Sequence, residues 1–393
     1  MSRSVVLLDH LQDRKSLLPL VARRPIGNLR IGAFTLDQKW STALHADISY
    51  LSEDYLSAKF PLTPQNRELF VVNSVFLPDN QLIESLKSLS LGEALVDAQG
   101  DFIAALCSFT SKEKLLEDLQ AFKAKAISYA GPCQRVRNLE DIFLLNGRQI
   151  EFDAGYIAHV AGEYKDVTFI GERFKIEQGV SLSRCTLDSS SGTIVILKGA
   201  VIEDFSVIHG PAVIGRNSRV KAGSSLYANV TVGDGSVVAG ELNNTVIWGD
   251  SAKGHYGYLG CAVLGEGCNL GAGSSNSNLK NDWSEVSLFS YLDNKFRNTE
   301  LLKCGVFIGD FTMLGIGSKI NTGTVLGLGS QIAVSNFIPK FVADFTWLTD
   351  SQSENYIFEK FISMLGRRAK LKNQVLSSLD IEILSYIYHN QTY

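Results

Sequence analysis

The residues best suited to chemistry lie in one stretch, Ala252-Lys253-Gly254-His255-Tyr256-Gly257-Tyr258-Leu259-Gly260. It is followed by Asn269-Leu270-Gly271-Ala272-Gly273 and Asn276-Ser277-Asn278-Leu279-Lys280. A lone histidine is more often structural than catalytic. Here glycines flank it, and a residue without a Cβ lets a ligand approach the backbone closely. A neutral imidazole, with an ordinary pKa of about 6.5, suits the removal of a proton from an amine at neutral pH. Glycine N–H groups nearby can stabilise an oxyanion as it forms.

A second candidate lies near the start of the chain. The apolar run Val5-Val6-Leu7-Leu8 is followed by a stretch carrying Arg14, Lys15, Arg23, Arg24 and Arg30. A strand followed by a cation-rich loop is where an α/β domain places phosphates. Arg14, Arg24 and Arg30 are therefore candidate phosphate ligands. The alternative is that these arginines form a solvated face.

These side chains need a scaffold, and the sequence supplies one. From about residue 170 to 332 an aliphatic residue returns every sixth position. One series runs Ile196, Ile202, Ile208, Ile214, Val220, Leu226, Val232, Val238, and a second runs Ile308, Leu314, Ile320, Leu326, Ile332. With aliphatic residues at roughly a quarter of an ordinary chain, so long a series by chance has odds on the order of one in ten thousand or less. Hexapeptide repeats of this kind build a parallel β-helix in which each unit forms one flat face and its aliphatic residue points inward. An antiparallel β protein would instead show period-two alternation in strands of uneven spacing.

The remaining composition narrows the function. A chain of 393 residues has room for two domains, and its net charge of −4 excludes the polybasic surface that nucleic acid or an anionic membrane demands. Cys107, Cys133, Cys185, Cys261, Cys268 and Cys304 are isolated, without CxxC spacing, and read as thiols of a reduced compartment. Charged Asp9, His10, Asp13, Arg14 and Lys15 follow the first apolar run, which is too short for a signal peptide or a membrane span. A cytoplasmic protein is expected.

Taken in order, residues 1–145 read as an α/β domain. It has strands at Val5–Leu8 and Phe70–Asn73 and helices at Leu82–Leu89 and Lys112–Ala126. Residues 146–166 read as a connector, 167–336 as the β-helix and 337–393 as a tail with helices at Glu354–Gln374 and Leu379–His389. Arg367, Arg368, Lys370 and Lys372 make the first tail helix basic. Two interruptions break the repeat, between Leu182 and Ile196 and between Ser274 and Gly305, and the second adjoins the histidine.

The histidine segment resembles the acetyltransferase half of the GlmU-like bifunctional family, whose pattern reads Lys-x-Gly-His-x-x-Tyr-(Leu/Val)-Gly and then Asn-(Ile/Phe)-Gly-Ala-Gly. The resemblance implies a left-handed β-helix that acetylates glucosamine-1-phosphate from acetyl-CoA. His255 falls on the catalytic base and Tyr258 and Asn269 on sugar-phosphate positions. Ala272, Gly273 and Asn278 line the acetyl-CoA cleft, Asn278 also facing the substrate, and Lys280 lies near a phosphate-binding lysine. Arg14, Pro19-Leu20 and Arg24-Pro25 are similar to the variant sugar nucleotidyltransferase domain of Bacteroidetes relatives, in a truncated Rossmann-like form that would use UTP and Mg²⁺. Two departures stand out there. Asp9-His10-Leu11-Gln12-Asp13 replaces the glycine-rich phosphate loop, and Asn73-Ser74 replaces the Mg²⁺-binding Asp, so no metal ligand is assigned beyond Asp9. Glu241-Leu242-Asn243-Asn244 likewise replaces a lysine pair that grips the sugar phosphate.

Two readings of function stand side by side. One is a bifunctional enzyme of UDP-N-acetylglucosamine synthesis, and the other is a monofunctional acyltransferase whose N-terminal domain only binds nucleotide or sugar phosphate. A carbonic-anhydrase-like β-helix would need three converging metal-binding histidines, and His159, His209 and His255 stand in unrelated contexts. A homotrimer is expected, because Val195, Val201, Val207, Val213, Val263 and Phe307 alternate with the inward residues and would otherwise be exposed apolar surface.

Overall fold

In a computed structural model the described residues are 4–122, 126–160, 162 and 164–391. Met1, Ser2 and Arg3, and the part of the expected Lys112–Ala126 helix that covers residues 123–125, lie outside them. The chain divides into two compact units: 1–15, 23–29 and 34–138 form the first, and 16–22, 30–33 and 139–393 the second.

The first unit is built on a six-stranded sheet. Ser4–Leu8 is flanked in parallel by Ile48–Leu51 and Glu68–Asn73, with Ser4 opposite Leu69 and Leu8 opposite Asn73. Phe102–Ser108 then runs antiparallel to Glu68–Asn73, and Ala94–Val96 and Ala126–Ser128 complete the order. Val5, Val6 and Leu7 are fully buried, as a near-continuous apolar run in a parallel strand requires. Local signals set the helices. After a short first helix, α1, Leu11–Leu17, Thr35 and Gln38 form a reciprocal capping box at the start of α2, Leu36–Leu44, and Asp79 caps α3, Asn80–Lys87, by accepting from Leu82 N at 2.9 Å. The expected second helix is α4, Lys112–Phe122, and the chain is a strand again at Ala126–Ser128.

The second unit is a left-handed parallel β-helix with two helices after it. Ile194 to Ile196 pair with Ala212 to Ile214, and these with Val230 to Val232, so one coil takes eighteen residues. Every member of the first aliphatic series, from Ile196 to Val238, is 0 % exposed, and the second series lines the same core. The repeat is not uniform. Val232 pairs with Ile247, a shorter step, whereas Leu264 pairs with Ile308 across the second interruption and the register then resumes. That interruption is ordered as an antiparallel hairpin, Ser287–Ser290 with Lys295–Asn298. Coils continue past residue 336, since Gln331 to Ala333 pair with Trp347 to Thr349.

A sixteen-residue helix, α5, Leu139–Ala154, crosses the expected boundary between the α/β domain and the connector at 145/146, and the whole of it belongs to the second unit. It also corrects the expectation of an exposed outer face. Val195, Val213, Val263 and Phe307 are at most 1 % exposed within the single chain. α5 lies along the coils that carry several of them, and the Phe143 ring stacks on Phe307 with centroids 6.2 Å apart. Val201 and Val207 remain partly exposed. α5 also holds the hairpin, because Arg297 donates to both carboxylate oxygens of Glu140 at 2.7 and 2.5 Å. The tail helices are α6, Phe358–Leu371, and α7, Ser378–His389; Glu354 and Asn355, expected to open the first of them, instead belong to a strand, Ser353–Asn355, that pairs with Thr346–Leu348. Phe361, Leu365 and Leu384 pack on Phe311, Leu328 and Phe345 of the last coils. The basic face of α6 is partly satisfied there, with Arg368 Nη2 donating to Asp250 O at 2.9 Å and Lys372 Nζ pairing with Asp250 Oδ1 at 3.1 Å. Among the described residues no helix is long and apolar enough to cross a membrane.

Candidate functional site

The coil at Ala252 and Lys253 ends in a glycine-bounded turn that carries His255. Gly257 has φ +125°, and a Cβ there would stand 2.2 Å from Ser274 O, so the turn needs glycine twice over. His255 is exposed, and its imidazole has no hydrogen-bond partner among the described residues. The turn is held from beneath by main-chain and lysine contacts. Gly273 N donates to Tyr256 O at 3.1 Å, and Lys253 Nζ donates to His255 O at 2.6 Å.

Beyond the turn, strand Tyr258–Leu264 pairs with Glu241–Ile247, which sets Tyr258 beside Glu241 and Gly260 beside Asn243. Asn278 Nδ2 donates to Tyr258 Oη at 3.1 Å and to Cys261 Sγ at 3.4 Å, and Asn244 Nδ2 approaches the same sulfur at 3.6 Å. Burial, with the Glu241 carboxylate nearby, raises the Tyr258 phenol above its ordinary range, so it stays a neutral hydroxyl. Asn276 is buried and bridges Gly260, accepting from its N–H at 2.8 Å and donating to its carbonyl at 2.9 Å.

Of the residues expected at this site, the fold brings Tyr258 and Asn278 into contact and leaves His255 open above them in sequence. Asn269 is exposed on the strand that pairs with Ala252. Ala272 and Gly273 form the next turn, where Gly273 has φ +76° and a Cβ would meet Tyr256 Oη at 3.0 Å. Lys280 turns into its own loop, donating to Ser284 Oγ at 3.1 Å and to Glu285 O. Sequence reasoning left Lys253, Asn276 and Cys261 without roles. The signal for Lys253 was present, since it interrupts a column of aliphatic residues.

The N-terminal cations behave differently. Arg14 is 4 % exposed and donates to Asp9 Oδ2 at 2.9 Å, Arg24 O at 3.0 Å and Tyr55 Oη at 3.0 Å. Asp9 Oδ2 also accepts from Ile26 N at 3.0 Å and Ser52 Oγ at 2.6 Å, while Asp9 Oδ1 is buried without a partner. Arg24 is 7 % exposed and reaches Asn28 Oδ1 at 3.4 Å. Arg30 belongs to the second unit, where it donates to Ala33 O at 2.6 Å and lies 3.6 Å from Asp234. The expected trio is therefore not one open cluster. A buried carboxylate at the end of the first strand draws Arg14 inward, and Arg30 leaves with the β-helix. Among the described residues no three His, Cys, Asp or Glu side chains gather as a metal site.

Fold and site thus describe a hexapeptide-repeat β-helix protein with an N-terminal α/β unit. Residues 5–160 match the sugar nucleotidyl transferase family model, a match that runs on through α5. The chain is similar to the bifunctional protein GlmU of Wigglesworthia glossinidia brevipalpis, 29 % identical over 180 residues, covering 46 % of this chain and 33 % of the relative. It is also similar to that of Pelobacter propionicus, 26 % identical over 189 residues, covering 46 % and 39 %. The aligned region spans between a third and two fifths of the length of these relatives. Among solved structures, an Arabidopsis UDP-N-acetylglucosamine acyltransferase matches at 14 % identity over 58 % of this chain and 90 % of its own, with a TM-score of 0.28. AntD, an N-acyltransferase from Bacillus cereus, matches at 13 % over 52 % and 92 %, with a TM-score of 0.20.

Proposed function

We propose that the β-helix is an acetyl-CoA-dependent N-acetyltransferase acting on an amino-sugar phosphate, with glucosamine-1-phosphate as the acceptor, and that His255 is its base. The observation that carries this reading is an imidazole left exposed and unpartnered on a turn whose backbone is fixed. The substrate amine attacks the thioester carbonyl and a C–N bond forms. His255 takes the amine proton, the C–S bond breaks, and the thiolate leaves and is protonated as free CoA. Tyr258 and Asn278 orient the sugar through neutral hydrogen bonds, Asn269 lines the same cleft, Ala272 and Gly273 admit the pantetheine arm, and Lys280 supplies a cation for the sugar phosphate.

The N-terminal unit completes the proposal as a UTP-dependent uridylyltransferase-like domain, so that the two halves act in UDP-N-acetylglucosamine synthesis. Mg²⁺ is commonly held by one or two carboxylates together with substrate phosphates. Asp9 is the carboxylate at the end of the first strand, and holding an ion there requires its Oδ1 to open from its buried position. The commitment of Arg14 to Asp9 favours a second reading for this unit, a domain that binds nucleotide or sugar phosphate without turnover. A two-step assay separates them. Thiol release from acetyl-CoA with glucosamine-1-phosphate tests the β-helix, and UDP-sugar formation on adding UTP and Mg²⁺ tests the N-terminal unit. Assembly is proposed as a homotrimer, read by light scattering as three times the 43.0 kDa chain.

A further inference from the structure

Lys253 stands where an aliphatic residue belongs. It follows Val220 and Val238 in the inward ladder, and Leu270 takes the equivalent slot in the next coil. Its side chain is 1 % exposed, and among the described residues no carboxylate pairs with it. Burial pushes the ammonium down from 10.5 to about 8. Taking an ammonium out of water without a counter-ion is among the costlier substitutions a core can carry, and departures from local rules concentrate at functional positions.

The two hydrogen bonds of this ammonium show what the cation does. Nζ donates to Ala239 O at 3.1 Å and to His255 O at 2.6 Å. A second lysine acts on the neighbouring peptide, because Lys221 Nζ donates to Gly254 O at 2.9 Å. Two ammonium groups from the coil interior and edge therefore fix consecutive carbonyls, those of Gly254 and His255. The turn they hold contains Gly254 and Gly257, which would leave it free to sample many conformations. Since the His255 ring itself has no partner, its position is set by its backbone, and its backbone by these lysines.

We propose that Lys253, assisted by Lys221, is a positioning residue that fixes the His255 turn in the geometry needed for proton abstraction. The inference rests on His255 being the base proposed above. A displacement of about 1 Å at a reacting group can cost on the order of 100-fold in rate, so the loss should appear in kcat rather than in substrate binding.

The test uses the full chain as wild type, Lys253→Met and Lys221→Met, with thiol release from acetyl-CoA and glucosamine-1-phosphate as one readout. Amide hydrogen exchange at His255, Tyr256, Gly257 and Tyr258 is the other. Lys253→Met, which fills the slot with an unbranched apolar chain, should lower kcat by about tenfold or more while both KM values stay within about twofold, and the turn amides should exchange faster. Lys221→Met should do the same to a smaller degree. Wild-type kcat together with wild-type exchange in Lys253→Met overturns the proposal. Should that variant not fold, Lys221→Met decides by the same criteria. A wild type that transfers no acetyl group defeats the proposed function instead, and faster exchange in the variants still distinguishes positioning from its absence.

Discussion

The two candidate sites differ in where their charged and titratable groups are spent. In the N-terminal unit Arg14 is turned inward onto Asp9 and surrounded by Arg24 O, Ser52 and Tyr55, so a cation that looked available to a phosphate is part of the domain's interior. In the β-helix the buried cation, Lys253, donates to main chain, and the imidazole of the residue it supports, His255, has no hydrogen-bond partner among the described residues. The difference is instructive: abundance of charge in a loop says little about readiness for a ligand, and a satisfied scaffold beneath an unsatisfied side chain says a good deal.

The sharpest way to break this contrast is His255→Ala. Loss of a positioned base typically costs 10²- to 10⁴-fold, and steady-state thiol release should show a fall of that size with acetyl-CoA binding nearly unchanged. Wild-type turnover would show the unpartnered imidazole to be an idle surface group. Next in size is Arg14→Met, which leaves the buried Asp9 carboxylate without its cation. Breaking such a pair costs roughly 3–5 kcal/mol, and urea unfolding should register it. Asp9→Asn combined with Arg14→Met should recover much of that loss, and failure to recover would mean that Arg14 matters through other contacts.

Smaller and more specific is a pH effect. The Lys253 ammonium is lowered from 10.5 to about 8 in the folded chain. Between those values the unfolded chain holds more protons, so this residue makes stability rise with pH across that window, by roughly 3–3.5 kcal/mol at most. Below about 8 both states hold the proton and the slope vanishes. The buried thiols and Lys340 also titrate in this range, so the comparison is made by difference: on chemical denaturation at several pH values, the stability of wild type relative to Lys253→Met should rise with pH above about 8. Parallel curves would remove the buried cation from the account. The smallest effect concerns Arg24→Ala. A charge-assisted hydrogen bond contributes roughly 1.5–3 kcal/mol, so UTP titration should show about tenfold weaker binding if Arg24 meets a phosphate. Equal affinities would assign Arg24, like Arg14, to the interior.

Much of the β-helix was legible because its signal is a strict period. The aliphatic series from Ile196 to Val238 named the inward residues one by one, and all are buried. Gly257 has a structural necessity to match its place in the motif, since its positive φ and close approach to Ser274 leave no other residue type, whereas a Cβ at Gly254 would meet nothing nearer than Val237 at 3.7 Å. Partnership was not legible. Nothing local to Arg14 reveals that Asp9 faces it, nor that Lys280 bends to Ser284 and Glu285. The outer valines misled because their alternation is the same whether a second chain or a helix of their own chain covers them. α5 covers those on the coils it packs along, Val213 and Val263 among them, from a segment read partly as the end of the α/β domain and partly as a connector.

One further consequence lies in the way the register survives the second interruption. Leu264 pairs with Ile308 as if the intervening hairpin were absent. A solenoid of this kind can lengthen at a corner without disturbing the stack above or below, so such corners are places where the chain can be edited. Exchanging the outer part of the Ser287–Asn298 hairpin for one of different length and polarity would be a graft onto an unchanged column, provided the Arg297–Glu140 pair, the buried Leu288 and the stacking of Phe289 on Phe341 are retained. Variation at such a corner then needs no renegotiation of the aliphatic column beneath it.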